Sequence, residues 1–185
     1  MRLVIAAGVL VVLYAIWAFN RLIQLRQLAE NAWADIDVQL KRRHDLIPSV
    51  VAVVKGHAGY ERSTLESVVQ ARSRALEASG PAARAEAEAP VAGSLRNIFA
   101  IAEAYPDLHA MESFRELQRT LSEVEDHLQN ARRYYNAVVR DLNTRIAQFP
   151  SNLVAGLLRF PPREFFGLDD GSERAVPQVR VGAGE

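Results

Sequence analysis

Phe114, Leu117, Leu121, Val124, Leu128, Ala131, Tyr135, Val138, Leu142, Ile146 and Phe149 recur three and four residues apart, and each is apolar or aromatic. A repeat of about 3.5 residues held for this long leaves little room for anything but a long helix packed at a shallow angle against other helices. A strand would need a period of two. At about 1.5 Å per residue, the segment from Asp107 to Phe149 predicts a helix about 60 Å long. Pro150 ends it, because proline has no amide to donate. Pro106 stands either at its start or at the end of the helix before.

The other end of the chain is equally patterned. Residues 3–19, LVIAAGVLVVLYAIWAF, carry no charge. As a helix they span about 25 Å, slightly less than a bilayer core of about 30 Å, and Leu22 and Ile23 can extend the apolar length. Tyr14, Trp17 and the stem of Arg21 suit an interfacial position. A cleaved signal peptide is the competing reading, but its apolar region is usually shorter. Cleavage after Ala18 would put Ile16 where a small residue is needed, and helix-forming sequence continues past it. The residues favour an uncleaved anchor over 1–21 that contacts the bilayer through 3–19. Arg2 precedes the run, whereas Arg21 and Arg26 follow it, with Lys41, Arg42 and Arg43 further on. The positive-inside rule therefore leans toward a cell-membrane protein, single-pass, with its folded part on the cytoplasmic side.

From the anchor, a stripe of Leu22, Leu25, Ala29, Ala32, Ile36, Leu40, Ile47, Val50 and Val54 predicts a first soluble helix reaching Lys55. Pro48 removes the bond to the His44 carbonyl, so a kink or a break is expected there. Gly56 and Gly59 mark a turn. A second helix is expected from about Tyr60 to Ala78, with Ser63 and Glu66 spaced as a capping box. Residues 79–94, SGPAARAEAEAPVAGS, are poor in bulky apolar side chains and read as a mobile Ala-rich loop. Leu95, Ile98, Phe99 and Ala102 make a short third helix. The fold class expected is all-α: a transmembrane helix, then an antiparallel bundle over 22–149 with two long and two short helices. The apolar segment 150–166 returns to the membrane end, where it either caps the open bundle or touches the membrane interface. Residues 167–185 read as a disordered tail.

Charge and chemistry narrow the function. The 22 Lys+Arg residues balance the 22 Asp+Glu, which argues against a nucleic-acid partner, since such domains are usually basic. Without cysteine there is no thiol catalysis and no Cys-bound metal. No phosphate loop, nucleophile elbow or H-E-x-x-H motif is present. His57 and Glu61 share a helical spacing, but two such residues do not make a metal site. No cofactor is expected.

The informative polar residues lie beside the apolar stripes. Gln118, Glu125, Arg132, Asn136 and Asn143 repeat at seven or four residues along the last helix. Arg43 and Arg72 occupy positions where the first and second helices call for an apolar side chain. Half-buried charges are costly unless paired, so these residues are expected to meet across the bundle and set its register. A polar ligand or proton site inside the bundle is the functional alternative.

The runs QLKRRHDLIPSVV (39–51), KGHAGYE (55–61), VVQAR (68–72), AEAYPDL (102–108), LQRTLSEVE (117–125), NARRYYNAVV (130–139) and NTRIAQFP (143–150), with the apolar FPSNLVAGLLRFPPREFF that follows, together resemble the LemA family. The resemblance covers roughly 20–166 and implies a single amino-terminal anchor followed by an antiparallel helical bundle. It implies that Arg42, Arg43, Asp45, Pro48, Glu61, Arg72, Glu103, Tyr105, Pro106, Glu125, Arg132, Tyr135, Asn136 and Asn143 are signature positions. It implies no reaction, because the family has no established enzymatic activity. Segment 79–94 departs from it as an insertion. The expected function is a non-catalytic scaffold or adaptor, acting as a homo-oligomer or with a membrane-protein partner. A sensor with a polar site in the bundle is the alternative.

Overall fold

A computed structural model describes residues 1–56 and 62–167 of the chain. His57, Glu61 and the expected tail beyond Gly167 lie outside them. Six helices and no strand occur among the described residues: α1 Arg2–Lys55, α2 Arg62–Glu77, α3 Pro81–Ala102, α4 Pro106–Ala110, α5 Glu112–Ala147 and α6 Ser151–Leu157. The all-α bundle expected from the periodicity is what forms.

Its spine is the antiparallel pair of α1 and α5. Arg145 sits over the Trp17 ring, Trp33 packs on Tyr135, and Arg43 reaches Glu125, so numbers rise along one helix as they fall along the other. Every stripe residue from Leu22 to Val54 is buried. On α5 the buried face holds Phe114, Leu121, Val124, Leu128, Tyr135, Val138 and Leu142. Leucine and isoleucine side chains buried this fully each contribute about 1.5–3 kcal/mol, enough for the 3.5-residue stripes to dictate the pairing.

The core divides into two along the rod. The distal cluster joins Ile47, Val50 and Val54 of α1 with Val68 of α2, Ile98 of α3, Leu108 of α4 and Phe114 of α5. The proximal cluster joins Leu22 to Leu40 with Leu128 to Leu142, and here α2 and α3 supply no buried member. Their place is taken by the chain after α5: Ala155 and Phe166 are buried, with Phe160 and Phe165 packed beside them. Trp33, Tyr135 and Phe166 form an aromatic knot with ring centroids 5.6 Å and 5.7 Å apart.

Residues 2–13 and 16–17 of α1 are exposed, and burial begins at Ala18. The exposed part holds a segment long and apolar enough to cross a membrane.

Three expectations need correction. Segment 79–94 is helical from Pro81 on, as the first four turns of α3. Alanine has the highest helix propensity, Pro81 suits the first turn, and Gly80, with φ of 84°, makes the bend that precedes it. Glu88, Val91, Leu95, Ile98 and Ala102 form a continuous buried stripe whose first member is charged, which hid it. Of the kink or break expected at Pro48, the break does not occur, because one lost backbone bond is outweighed by buried neighbours on both sides. The last helix is interrupted at Met111, whose extended backbone (φ −66°, ψ 129°) separates the one-turn α4 from α5. Pro106 therefore starts α4, not the long helix.

Candidate functional site

Where the distal and proximal cores meet, α1, α3 and α5 bring charges together. Arg43 takes its place in the α1 stripe, so its guanidinium must enter the bundle. Its Nη2 donates to Glu88 Oε2 at 2.6 Å and its Nη1 to Glu125 Oε2 at 2.9 Å. The Arg43 and Glu88 side chains are 4% and 5% exposed, whereas Glu125 is 43% exposed at the rim. His44 Nε2 lies 2.9 Å from Glu88 Oε1. Arg43 Nε and His44 Nδ1 are buried without a hydrogen-bond partner among the described residues. Burial pushes the Glu88 carboxyl up, but His44 and Arg43 outweigh it and hold its pKa below the ordinary 4.5. Two carboxylates around one guanidinium leave one net negative charge at the junction. Arg72 closes the junction from α2 by donating its Nε to the His44 carbonyl at 2.9 Å.

The cluster forms one wall of a cleft of about 770 Å³ between α3 and α5, lined also by Glu86, Gln129 and Arg132. Alanines 82, 85, 89 and 92 of α3 leave this space because their side chains end at Cβ.

Below the cleft the polar edge of α5 does something different. Asn136 Nδ2 donates to the Phe166 carbonyl at 3.1 Å, while Asn136 Oδ1 accepts from the Phe166 amide at 2.9 Å. Seven residues on, Asn143 makes the same pair with Arg163, at 2.8 Å and 2.9 Å. Tyr135 Oη donates to the Glu164 carbonyl at 2.8 Å, and Arg132 donates to the carbonyls of Phe166 and Gly167. Each asparagine amide thus pairs with main chain as a neighbouring strand would. Residues 163–167 become a strap bound along α5, with their buried amides and carbonyls satisfied. Burial raises the Tyr135 phenol above its ordinary 10.0; Glu164 adds to this and Arg163 opposes it.

Of the residues singled out from sequence, the structure brings Arg43, Arg72 and Glu125 to the junction and sets Arg132, Asn136 and Asn143 on the strap. It does not unite the others. Arg42 is exposed. Asp45 pairs with Lys41 on the α1 surface at 2.9 Å, and Glu103 faces His109 at 3.5 Å near α4. Glu61 is outside the described residues. Sequence reasoning missed Glu88 and His44, the partners that complete the junction. The signal for Glu88 was its place three residues before Val91 in the α3 stripe. The described residues contain no group of three or more His, Asp or Glu arranged to hold a metal.

Several known proteins are similar to this chain in sequence. The chain is 22% identical over 174 residues to magnetosome protein MamQ 2 of Paramagnetospirillum magneticum, covering 80% of this chain and 64% of that protein. It is 21% identical over 189 residues to magnetosome protein MamQ of Magnetospirillum gryphiswaldense, covering 87% and 70%. Protein LemA of Metamycoplasma hominis is 26% identical over 140 residues, covering 74% and 63%. The chain thus spans a little under two thirds of the length of the MamQ 2 and LemA proteins it matches. A family model, the LemA family, matches residues 32–181. That match takes in both halves of the spine, the charged junction and the strap, and the chain belongs to the LemA family.

Proposed function

We propose that this protein is a membrane-anchored, non-catalytic helical rod that serves as a scaffold or adaptor by assembling with itself or with a membrane-protein partner. The observation that carries this reading is the continuity of α1. Its bare apolar segment passes at Ala18, without a break, into the buried spine of the bundle. An anchor and a core that share one helix hold the bundle at a set orientation to the bilayer, which suits assembly more than turnover. A short apolar span also gains from oligomerisation. Arg21 and Arg26 beyond the span favour the cytoplasmic side.

Crosslinking of the full chain in native membranes, after alkaline carbonate washing, tests this. Retention in the pellet with discrete crosslinked species is expected. Release by carbonate would refute the anchor, and monomer alone with no captured partner would refute the assembly.

The cleft beside Arg43, Glu88 and Glu125 favours a second reading, a sensor that takes a small polar ligand between α3 and α5. A thermal-shift screen of small ions and metabolites on the full chain, repeated with Glu125→Gln, addresses it. Failure of every compound to raise the melting temperature would remove it.

A further inference from the structure

The two turns of α6 present their leucines to the outside and turn Ser151, Ala155 and, in part, Val154 to the core. Ser151 and Ala155 are buried against the bundle, whereas Leu153, Leu157 and Leu158 are 64%, 83% and 49% exposed and Phe149 is 74% exposed. Leu153 and Leu157 lie one turn apart, so the apolar side chains line up along one face. A fold that only had to close the end of a bundle in water would turn these side chains inward; a contiguous apolar face turned outward marks a surface that another phase covers.

Two independent features say which phase. The first is position. Phe160, two residues after Leu158, packs edge-on to Phe19 at 6.2 Å, and the Arg145 guanidinium lies 5.6 Å over Trp17. The apolar face of α6 therefore stands at the end of the molecule where the apolar run 3–19 meets the bundle. The second is charge. The chain as a whole is neutral, yet residues 1–29 and 142–163 hold six arginines (2, 21, 26, 145, 159 and 163) and no carboxylate; Arg26 and Arg163 pair with Glu30 beside them, which leaves Arg21, Arg145 and Arg159 as the bundle-side arginines not held by Glu30. Five of the six lie on the bundle side of the span. An apolar face set among arginines matches an anionic lipid surface, whose acyl boundary takes the leucines and whose phosphates take the guanidinium groups.

We propose that α6, with Phe149 and Leu158, is a second membrane contact: its apolar face enters the headgroup–acyl boundary of the leaflet from which the rod emerges, and Arg145 and Arg159 meet anionic phosphates there. This rests on reading residues 3–19 as a membrane span. Two attachment points, unlike one, fix the tilt of the rod as well as its height.

The chain has no cysteine, so single nitroxide labels can be placed on the full protein through Leu157→Cys, Val9→Cys in the span and Val38→Cys on the exposed side of α1. Each is reconstituted in phosphatidylcholine vesicles with and without phosphatidylglycerol. The ratio of collision with oxygen to collision with a water-soluble nickel chelate is then read. In phosphatidylglycerol vesicles the ratio at 157 is expected to exceed that at 38 by about tenfold, as it does at 9. It should fall back severalfold when Arg145→Gln and Arg159→Gln are added or the anionic lipid is left out. A ratio at 157 equal to that at 38, with 9 still in lipid, overturns the proposal and leaves the span intact. A label at 157 shielded from both reagents also overturns it, since that is a protein contact with a second copy. If 9 itself reads as aqueous, the span fails and the proposal with it. No response to lipid charge or to the arginine substitutions overturns the phosphate contact.

Discussion

Replacing Glu88 by glutamine keeps the volume of the side chain and removes its charge, so the change at the α1–α3–α5 junction is electrostatic. Arg43 and Glu88 are 4% and 5% exposed, and a buried charge deprived of its partner costs about 3–5 kcal/mol. Glu125 stays within 2.9 Å of Arg43, but it is 43% exposed and shares itself with water. It therefore offsets only part of the loss, and about 3 kcal/mol is the expected cost. For a chain of 185 residues each kcal/mol moves the melting temperature by about 2–4 °C, so Glu88→Gln should lower it by roughly 6–12 °C. Far-ultraviolet circular dichroism of the full chain in detergent micelles measures this. Glu86→Gln is the control, an exposed carboxylate on the same helix and the same cleft. Arg43→Met with Glu88→Leu, which removes both charges, should recover most of the loss, because a well-packed apolar pair needs no desolvation of ions. If Glu88→Gln melts no lower than Glu86→Gln, the junction is not a paired buried ion cluster and the reasoning fails.

Other outcomes follow from the same geometry. Glu125→Gln should cost less than about 1 kcal/mol by the same melt, since its pair with Arg43 is screened at the rim; a loss as large as that of Glu88→Gln would contradict the assigned burial. Asn143→Ala leaves the Arg163 amide and carbonyl of the strap unpaired, and Asn136→Ala leaves the Phe166 amide unpaired while Arg132 still holds its carbonyl, each at about 1–3 kcal/mol. Trypsin should then cut after Arg163 faster than in the parent chain, and an unchanged rate would show that the strap is held by its aromatic residues alone. The depressed Glu88 carboxyl sets the acid dependence. Its stabilisation is complete above the ordinary 4.5 and is lost as pH falls through the lower value of the folded state. The gap in melting temperature between the parent and Glu88→Gln should therefore narrow only below pH 4.5; a gap that instead closes on the alkaline side would reverse the sign.

Much of the bundle was legible in the stripes, because an apolar side chain every three or four residues has one low-energy place to go. Leu22 to Val54 and Phe114 to Leu142 are buried as their spacing required. The α3 segment was not legible from bulk hydrophobicity. Alanine fills it, two prolines and a glycine punctuate it, and its stripe begins on Glu88, which counts as polar until Arg43 is known to stand opposite. The asparagines show the same division. Their seven-residue spacing placed Asn136 and Asn143 on one edge of α5, and the expectation was that they would meet side chains across the bundle. They meet main chain instead, and main chain leaves no residue pattern to read.

The amino-acid sequence by itself determined the helical period and the apolar run that α1 carries at its start, which depend on neighbours within a few residues, and the neutral total charge, which is a sum over the chain. Which charge meets which was decided only in three dimensions. Arg43 and Glu88 are 45 residues apart along the chain and 2.6 Å apart in space, and Coulomb's law acts on the second distance. The same holds for the strap. Residues 163–167 have no periodicity of their own, and they take a defined path because α5 offers two amides, a phenol and a guanidinium where the proximal core lacks a third helix.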